Sequence, residues 1–323
     1  MIKAVRVHEI GAPEVMRIEE IELPPAKPGE VLVRNHAIGL NYIDVYFRIG
    51  VYPAPQIPFI PGNEAAGEVV AVGKSVKGFK PGDRVAYVAN LGCYAEARFV
   101  DAARLIALPK SISYETGAAM LLKGLTAQYL LRQTYKVKKG DRILIHAAAG
   151  GTGLILCQWA SALGAHVIGT VGSPEKAKLA EKAGAEDIIL YRQEDFVARV
   201  KEITKGKLCD VVYDGVGRAT FPASLDCLRP LGMFVSFGSA SGGIEAFSLG
   251  LLAQKGSLYA TRPSLNTFTA DPNDLQKMAR DLIRVVKNGT VKIPVTTRPL
   301  KDVVAAHRAL EARQTTGSTV LIP

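Results

Sequence analysis

Seven small residues, Ala147-Ala-Ala-Gly-Gly-Thr-Gly153, carry the most telling spacing in the chain. They follow a short apolar run, Ile143 to Ile145, set off by a Lys-Gly-Asp turn. After them a helical pattern begins at Leu154, continues through Ile155, Cys157, Gln158, Trp159, Ala160 and Leu163, and closes at Gly164. Ala165 to Val171 then reads as a second strand. Strand, glycine turn, helix and strand within about thirty residues is the unit that seats a dinucleotide's phosphates on a helix N-terminus. Against the spacing G-x-G-x-x-G, residues 148 to 153 supply Ala148, Gly150 and Gly153, so the first glycine is alanine. A tight turn in some other α/β protein would look the same, and the rest of the chain has to decide.

The end of the second strand bears on which nucleotide is held. An NAD site holds the adenine ribose with an acidic side chain about twenty residues beyond the glycines. Here the strand ends Thr170-Val-Gly-Ser-Pro-Glu-Lys176, with Gly172 and Ser173 where the acid would stand and Lys176 in the first turn of the next helix. A gap beside a lysine suits a ribose phosphate, which a carboxylate would repel. Glu175 opposes this reading, but a glutamate at a helix start complements the dipole and points outward. The expected cofactor is NADPH.

The elements that must position these residues fall into two patterns. Residues 1 to about 120 are β-rich: Ile2 to His8, Met16 to Glu22, Glu30 to Ile38, Glu68 to Val72 and Arg84 to Val88 read as strands, punctuated by Gly11, Pro13, Pro24, Pro25 and the Pro28-Gly29 turn. Gly39 to Pro53 reads as a loop and short helix, and Pro53, Pro55, Pro58 and Pro61 keep the following segment extended. From about 125 to 290 strands alternate with helices, ending in a periodic helix from Asn273 to Asn288. A helix from Asp302 to Ala312 and a strand from Thr319 to Ile322 close the chain.

Composition excludes several classes. At 323 residues and 48% hydrophobic, the chain has ample core for two domains, and no apolar run approaches a membrane span. Met1 to His8 alternates like a strand and lacks a secretion signal's apolar centre, which predicts a cytoplasmic protein. Cys93, Cys157, Cys209 and Cys227 are scattered without a C-x-x-C pair, which argues against a disulfide framework or a structural zinc. The net charge of +10 is spread along the chain; a basic cofactor cleft, nucleic-acid affinity and a merely solvated surface all account for it.

Pro61-Gly-Asn-Glu-Ala-Ala-Gly-Glu-Val-Val-Ala-Val-Gly73, Val76-Lys-Gly-Phe-Lys-Pro-Gly-Asp-Arg-Val-Ala86, Lys123-Gly-Leu-Thr-Ala-Gln-Tyr129 and the glycine turn together resemble the medium-chain dehydrogenase/reductase superfamily. Within it they are most similar to the zinc-free quinone oxidoreductase (zeta-crystallin-like) branch and its bacterial NADPH-dependent members. The resemblance continues through Val212-Tyr-Asp-Gly-Val-Gly217, Val235-Ser-Phe-Gly-Ser239, Thr261-Arg-Pro-Ser264 and the C-terminal Gly-Ser-Thr-Val-Leu-Ile-Pro323, and so spans the chain. It implies an α/β fold: a GroES-like, β-rich catalytic domain over 1–124 and 290–323, and a Rossmann doubly wound parallel-sheet domain binding NADPH over 125–289. It also implies Ser173, Lys176 and Tyr191 around the adenine phosphate with Arg313 closing from the C-terminal segment. Gly150, Gly151, Thr152, Gly153, Gly172 and Gly217 are expected along the nucleotide. Phe237, Gly238 and Ser239, with Arg262, Pro263 and Ser264, are expected at the pyrophosphate and nicotinamide ribose.

Many members of the superfamily hold a catalytic zinc with Cys, His and Cys. At the matching places this chain has Asn41, Asn63 and the run Leu121-Leu-Lys123, which are poor zinc ligands. No metal is expected, and zinc-dependent alcohol oxidation is removed with it. Hydride, or electrons, must then go to an acceptor already electrophilic: a quinone, or a carbon–carbon double bond conjugated to a carbonyl. Asn41, Tyr42, Asp44 and Tyr46 are expected to line the site, with Asn41, Lys123 and Thr126 near the nicotinamide and Tyr52 donating to or stacking on the acceptor. A packed core role for at least one of the three tyrosines is an equal alternative. Weak single-stranded RNA binding, known in this branch, is a third possibility. Gly256 to Arg262 reads as the last strand of the nucleotide sheet, an edge that the family pairs across a two-fold axis, so a homodimer is expected.

Overall fold

The computed structural model describes residues 1–323, which form two compact units. The first comprises Met1–Lys123, Leu275–Ala279 and Ile293–Pro323, and the second Gly124–Asp274 and Arg280–Lys292.

In the first unit, β1 (Ile2–Val7) pairs antiparallel with β2 (Met16–Ile21). Then come β3 (Glu30–Gly39), α1 (Tyr42–Arg48), β4 (Glu64–Val72), β5 (Arg84–Val88), β6 (Ala97–Asp101), β7 (Leu105–Ala107) and the start of α2 (Tyr114–Tyr129). Strand β4 begins at Glu64, four residues before the expected start at Glu68, because Glu64 to Gly67 are all buried and so show no alternation.

The second unit runs β8 (Arg142–Ile145), α3 (Gly151–Ala162), β9 (His166–Val171), α4 (Pro174–Lys182), β10 (Asp187–Leu190), α5 (Phe196–Ile203), β11 (Cys209–Asp214), β12 (Leu228–Ser236), α6 (Gly250–Gln254), β13 (Tyr259–Thr261), α7 (Leu265–Phe268) and, apart from its Leu275–Ala279, α8 (Pro272–Lys287). The chain closes in the first unit with β14 (Val295–Pro299), α9 (Val303–Glu311) and β15 (Ser318–Ile322). These last elements complete the first unit's seven-stranded sheet, in the order β14-β15-β3-β4-β5-β7 with β6 also on β3. Leu300, Val303, Ala306 and Leu321 share one core with Val5, Val31, Ile38 and Tyr87.

The six strands of the second unit are all parallel, in the order β10-β9-β8-β11-β12-β13. A parallel sheet is covered on both faces, so its strands are apolar throughout. Ile143, Leu144 and Ile145 accordingly have no exposure, and all of β11 is buried. Strand order reverses between β8 and β11, where such sheets open a crevice at their carboxyl ends. The glycine turn leaves β8 into it. Helix α3 begins at Gly151, three residues before the periodicity starts, since Gly151, Thr152 and Gly153 carry no apolar signal. All four cysteines are buried and free, as small core residues. No helix is long and apolar enough to cross a membrane.

Candidate functional site

In the second unit the loops at the carboxyl ends of β8, β9, β11, β12 and β13 carry most of the expected nucleotide residues. Gly150 is the N-cap of α3, and Gly150, Gly151 and Thr152 are half-buried at its start. Gly153 cannot be replaced without moving the turn: a Cβ there would lie 2.3 Å from the Ala147 carbonyl oxygen. Ala148, the residue that breaks the glycine pattern, is fully buried, and its Cβ lies 2.8 Å from where Gly169 of β9 would carry one. The glycine missing from the turn is supplied by the neighbouring strand.

At the end of β9, Gly172 leaves no room for an acid. A Cβ on it would stand 2.9 Å from the Tyr191 hydroxyl oxygen and 3.5 Å from Arg192 Nε. Gly172, Tyr191 and Arg192 therefore converge beside Ser173, which caps α4 by accepting from the Lys176 backbone N–H. Glu175 is exposed, and the Ser173 hydroxyl together with its own backbone N–H lowers its pKa. It serves the helix start, as expected. Arg192 escaped the sequence reading; its signal is a cation directly after Tyr191 at the end of β10.

Asp214, at the end of β11, ties the remaining loops together. Its carboxylate accepts from the backbone N–H of Val216 at 2.7 Å and of Gly217 at 2.9 Å, and from the hydroxyls of Thr220 at 2.6 Å and Ser224 at 3.3 Å. Its carbonyl accepts from the N–H of Phe237 at 2.8 Å and Gly238 at 3.4 Å. Ser224 also meets His146 Nε2 at 3.0 Å, while His146 Nδ1 meets Thr170 Oγ1 at 3.0 Å. Burial lowers the His146 pKa and keeps the ring neutral. Arg262 braces the β12 loop, donating to Ser236 Oγ at 3.0 Å, the Gly238 carbonyl at 2.8 Å and Ser239 Oγ at 3.2 Å. Pro263 and Ser264 follow, Ser264 as the N-cap of α7. His146 and Asp214 were also missed, although a polar residue ending an otherwise apolar strand marks both.

The first unit gathers the other expected residues around two buried carboxylates. Glu64 Oε1 accepts from Asn41 Nδ2 at 2.7 Å and faces Lys123 Nζ at 3.4 Å. Glu64 Oε2 accepts from the Leu122 backbone N–H at 2.7 Å. Lys123 Nζ also donates to the Leu40 carbonyl at 3.2 Å. Close approach requires Gly39, where a Cβ would lie 2.4 Å from Glu64 Oε1 and 2.3 Å from the Ala118 carbonyl. Glu64 itself was not anticipated as a site residue; a lone acid opening a buried small-residue strand is its signal.

Asp44 differs from its expected place. It is fully enclosed rather than lining a site, and closes a capping box on α1 by accepting from the Asn41 backbone N–H at 2.8 Å. It also accepts from Asn63 Nδ2 at 2.5 Å and the Tyr94 hydroxyl at 2.9 Å. Burial, with Glu64 nearby, pushes its pKa up to about 6 despite these donors. Tyr94 in turn contacts His307 Nε2 at 3.1 Å. The three tyrosines form an aromatic ladder, with ring centroids 5.4 Å apart for Tyr42–Tyr46 and 5.2 Å for Tyr46–Tyr52. Tyr46 is the buried middle rung, whereas Tyr42 and Tyr52 are half-exposed. Thr126, one turn beyond Lys123 on α2, is half-buried and belongs to the second unit. Arg313 lies just past α9 in the left-handed region, with φ 59°, and its charge is felt at Tyr42.

The donor set decides what the two units can hold. The helix N-terminus, the acid-free strand end and Lys176 fit a phosphorylated dinucleotide. The corner at Glu64 does not fit zinc: Asn41 and Asn63 turn their NH2 groups to carboxylates, the Asn63 carbonyl accepts from Leu91 N–H, and the Lys123 ammonium repels a dication.

Comparison with known proteins agrees with this layout. The profile of the alcohol dehydrogenase GroES-like domain matches residues 27–139, and that of the zinc-binding dehydrogenases matches residues 151–283. The chain is 52% identical over 327 residues to the quinone oxidoreductase of Pseudomonas aeruginosa, covering all of both chains. It is 43% identical to a 2-haloacrylate reductase from Burkholderia, covering 100% of this chain and 99% of that one. The crystal structure of Escherichia coli quinone oxidoreductase complexed with NADPH superposes with a TM-score of 0.96 at 49% identity, covering 99% of this chain and 100% of that one. The chain belongs to the quinone oxidoreductase branch of the medium-chain dehydrogenase/reductase family.

Proposed function

We propose that this protein is a cytoplasmic enzyme that reduces quinones with NADPH and without zinc. The carrying observation is the conjunction of an acid-free, lysine-flanked strand end in the second unit with a zinc-ligand corner converted to Asn41, Asn63 and Lys123 in the first. Likeness over the whole chain to quinone oxidoreductases, one of them solved with NADPH, supports it.

In this reading residues 125–289 bind the cofactor and residues 1–124 and 290–323 the acceptor. NADPH, when bound, supplies the hydride. The N–H groups of Gly150 to Gly153 meet the pyrophosphate at the start of α3, with Gly217, Phe237 to Ser239 and Arg262 to Ser264 on the opposite side. Ser173, Lys176 and Tyr191 hold the ribose phosphate, and Arg192 adds a further cation. Thr126 helps to orient the nicotinamide. Tyr42 and Tyr52, the half-exposed ends of the tilted ladder, offer aromatic surface to a flat acceptor, with Tyr46 packed between them. Asp44 acts from behind, by fixing Asn41 through the cap of α1.

A second acceptor class, activated carbon–carbon double bonds, is favoured by the likeness to the 2-haloacrylate reductase. Mixing the protein with NADPH and either 1,4-benzoquinone or an alkenal separates the two. Loss of NADPH absorbance with the quinone at the higher kcat/KM is expected; turnover with the alkenal alone would transfer the assignment to it. The short edge strand β13, with Tyr259 57% exposed, supports a homodimer formed by pairing that edge across a two-fold axis. Light scattering should give twice the chain mass of 34.6 kDa, and a monomer mass would remove the dimer.

A further inference from the structure

Glu64 and Lys123 form an ion pair in a place where ion pairs are rare. Glu64 has no exposure and Lys123 is 8% exposed. Burying two charges costs desolvation that their attraction does not reliably return, and apolar replacements of such pairs are often neutral or stabilising. The pair is therefore better explained by what it does for a ligand than by what it does for folding.

Its geometry shows what that is. Glu64 is held by Asn41 Nδ2 and the Leu122 N–H, so its carboxylate is fixed before Lys123 is considered. An ammonium carries three N–H donors. The Leu40 carbonyl and Glu64 Oε1 take two of them, on a side chain that keeps 10% of its surface open. The third is a fixed, charged donor in a poorly hydrated corner. Asn41, which shares Glu64 Oε1 with it, caps the helix that carries Tyr42 and Tyr46.

We propose that Lys123 is a catalytic residue whose third N–H donates a hydrogen bond to a carbonyl oxygen of the bound quinone, with Glu64 as its positioning residue. The proposal rests on the quinone-reductase reading above. The acceptor gains one hydrogen and two electrons from NADPH, which leaves as NADP+. The product at that moment is the hydroquinone monoanion, with the new charge on oxygen. Lys123 stabilises this charge as it develops, and stays protonated throughout. A proton from water completes the hydroquinone. A donor fixed in a low-dielectric site stabilises a developing oxyanion far better than water does. Glu64 keeps the ammonium aimed, and Asn41 keeps Glu64 in place.

The test compares wild type with Lys123→Met, Lys123→Arg and Glu64→Gln, using 1,4-benzoquinone and NADPH. NADPH affinity, followed by cofactor fluorescence, should be unchanged in all four proteins. Lys123→Met should lower kcat by about 100-fold, the scale of removing one oxyanion donor. Lys123→Arg should recover much of it. The loss should be larger for methylated quinones than for chlorinated ones, because the more basic oxyanion gains more from the donor.

A readout independent of turnover uses 4-nitrophenol with NADP+. The bound phenol should ionise at lower pH in wild type than in Lys123→Met, as seen by its absorbance. Unchanged kcat in Lys123→Met, with the same phenol titration, would overturn the proposal and leave the quinone-reductase reading standing. A wild type inert toward every quinone would overturn that reading and the proposal together. Should Lys123→Met lose NADPH binding, Glu64→Gln carries the test: about tenfold lower kcat supports the proposal, and unchanged kcat overturns it.

Discussion

Each unit buries a cluster of polar side chains, and the two are built on opposite lines. In the second unit one carboxylate, Asp214, accepts four hydrogen bonds from two backbone N–H groups and two hydroxyls, beside a neutral His146. Its acceptor capacity is filled, and with its carbonyl bonded to the Phe237 and Gly238 N–H groups it makes a junction of the segments after β11 and β12. In the first unit Asp44, Glu64, Lys123, Arg48 and His307 put several ionisable groups out of water together. Arg48, fully buried, donates to the Gly11 carbonyl at 2.7 Å and pairs with Glu311 at 2.6 Å. A saturated cluster is what a cofactor cradle needs; a charged one is what an acceptor gaining charge needs. On the function proposed above, the first of these supports the cofactor and the second serves the chemistry.

Asp214→Ala should have the largest effect. It leaves four donors without their acceptor in the second unit, and a loss of about 3–5 kcal/mol is expected, read as a lower urea midpoint. NADPH affinity should fall with it, because Gly217 and Phe237 lose their anchor. If the midpoint moved by less than about 1 kcal/mol, the junction would not be the support described.

Next in size is Lys176→Ala. One charge-assisted contact to the ribose phosphate is worth about 1.5–3 kcal/mol, so the ratio of NADPH to NADH affinity should fall by about 10- to 100-fold. NADH affinity itself should barely change. An unchanged ratio would remove Lys176 from the phosphate site.

The smallest effect concerns pH, and it belongs to the charged cluster. Asp44 is raised from 3.8 to about 6, so the folded state holds its proton more tightly than the unfolded chain. Its contribution to stability is full below 3.8 and is lost as pH rises through about 6. His307 has the opposite sign: burial lowers it from 6.5 to about 3, so its contribution is full above 6.5 and lost as pH falls toward 3. Between these limits the two slopes oppose one another. Asp44→Asn removes one of them, so loss of stability on acidification toward 3.8 should steepen by up to about 1.4 kcal/mol per pH unit. His307→Gln in that background should flatten it again. A slope that Asp44→Asn leaves unchanged would mean that Asp44 does not titrate in the fold as described.

The buried strands and the glycine turn of the nucleotide unit were legible because buried strands write continuous apolar runs and turns write glycine. Ala148 looked like a defect in the fingerprint because the compensating Gly169 lies on another strand, a relation visible only once β8 and β9 are paired. The clusters were harder to read. Asp44 stands two residues from the expected site residues Tyr42 and Tyr46, yet the capping box points it inward. Glu64 meets Asn41 and Lys123 across sequence separations of 23 and 59 residues, which local pattern cannot express. Polar residues in apolar runs mark where such clusters form, but their partners come from the fold.

The most direct test of the account is an anaerobic single turnover of the NADPH-loaded protein with 1,4-benzoquinone, following cofactor and hydroquinone together. One hydroquinone should form for each NADPH consumed, at a rate well above the protein-free mixture and sharply reduced in Lys123→Met. NADPH consumption no faster than in buffer, across quinones of widely different potential, would contradict it.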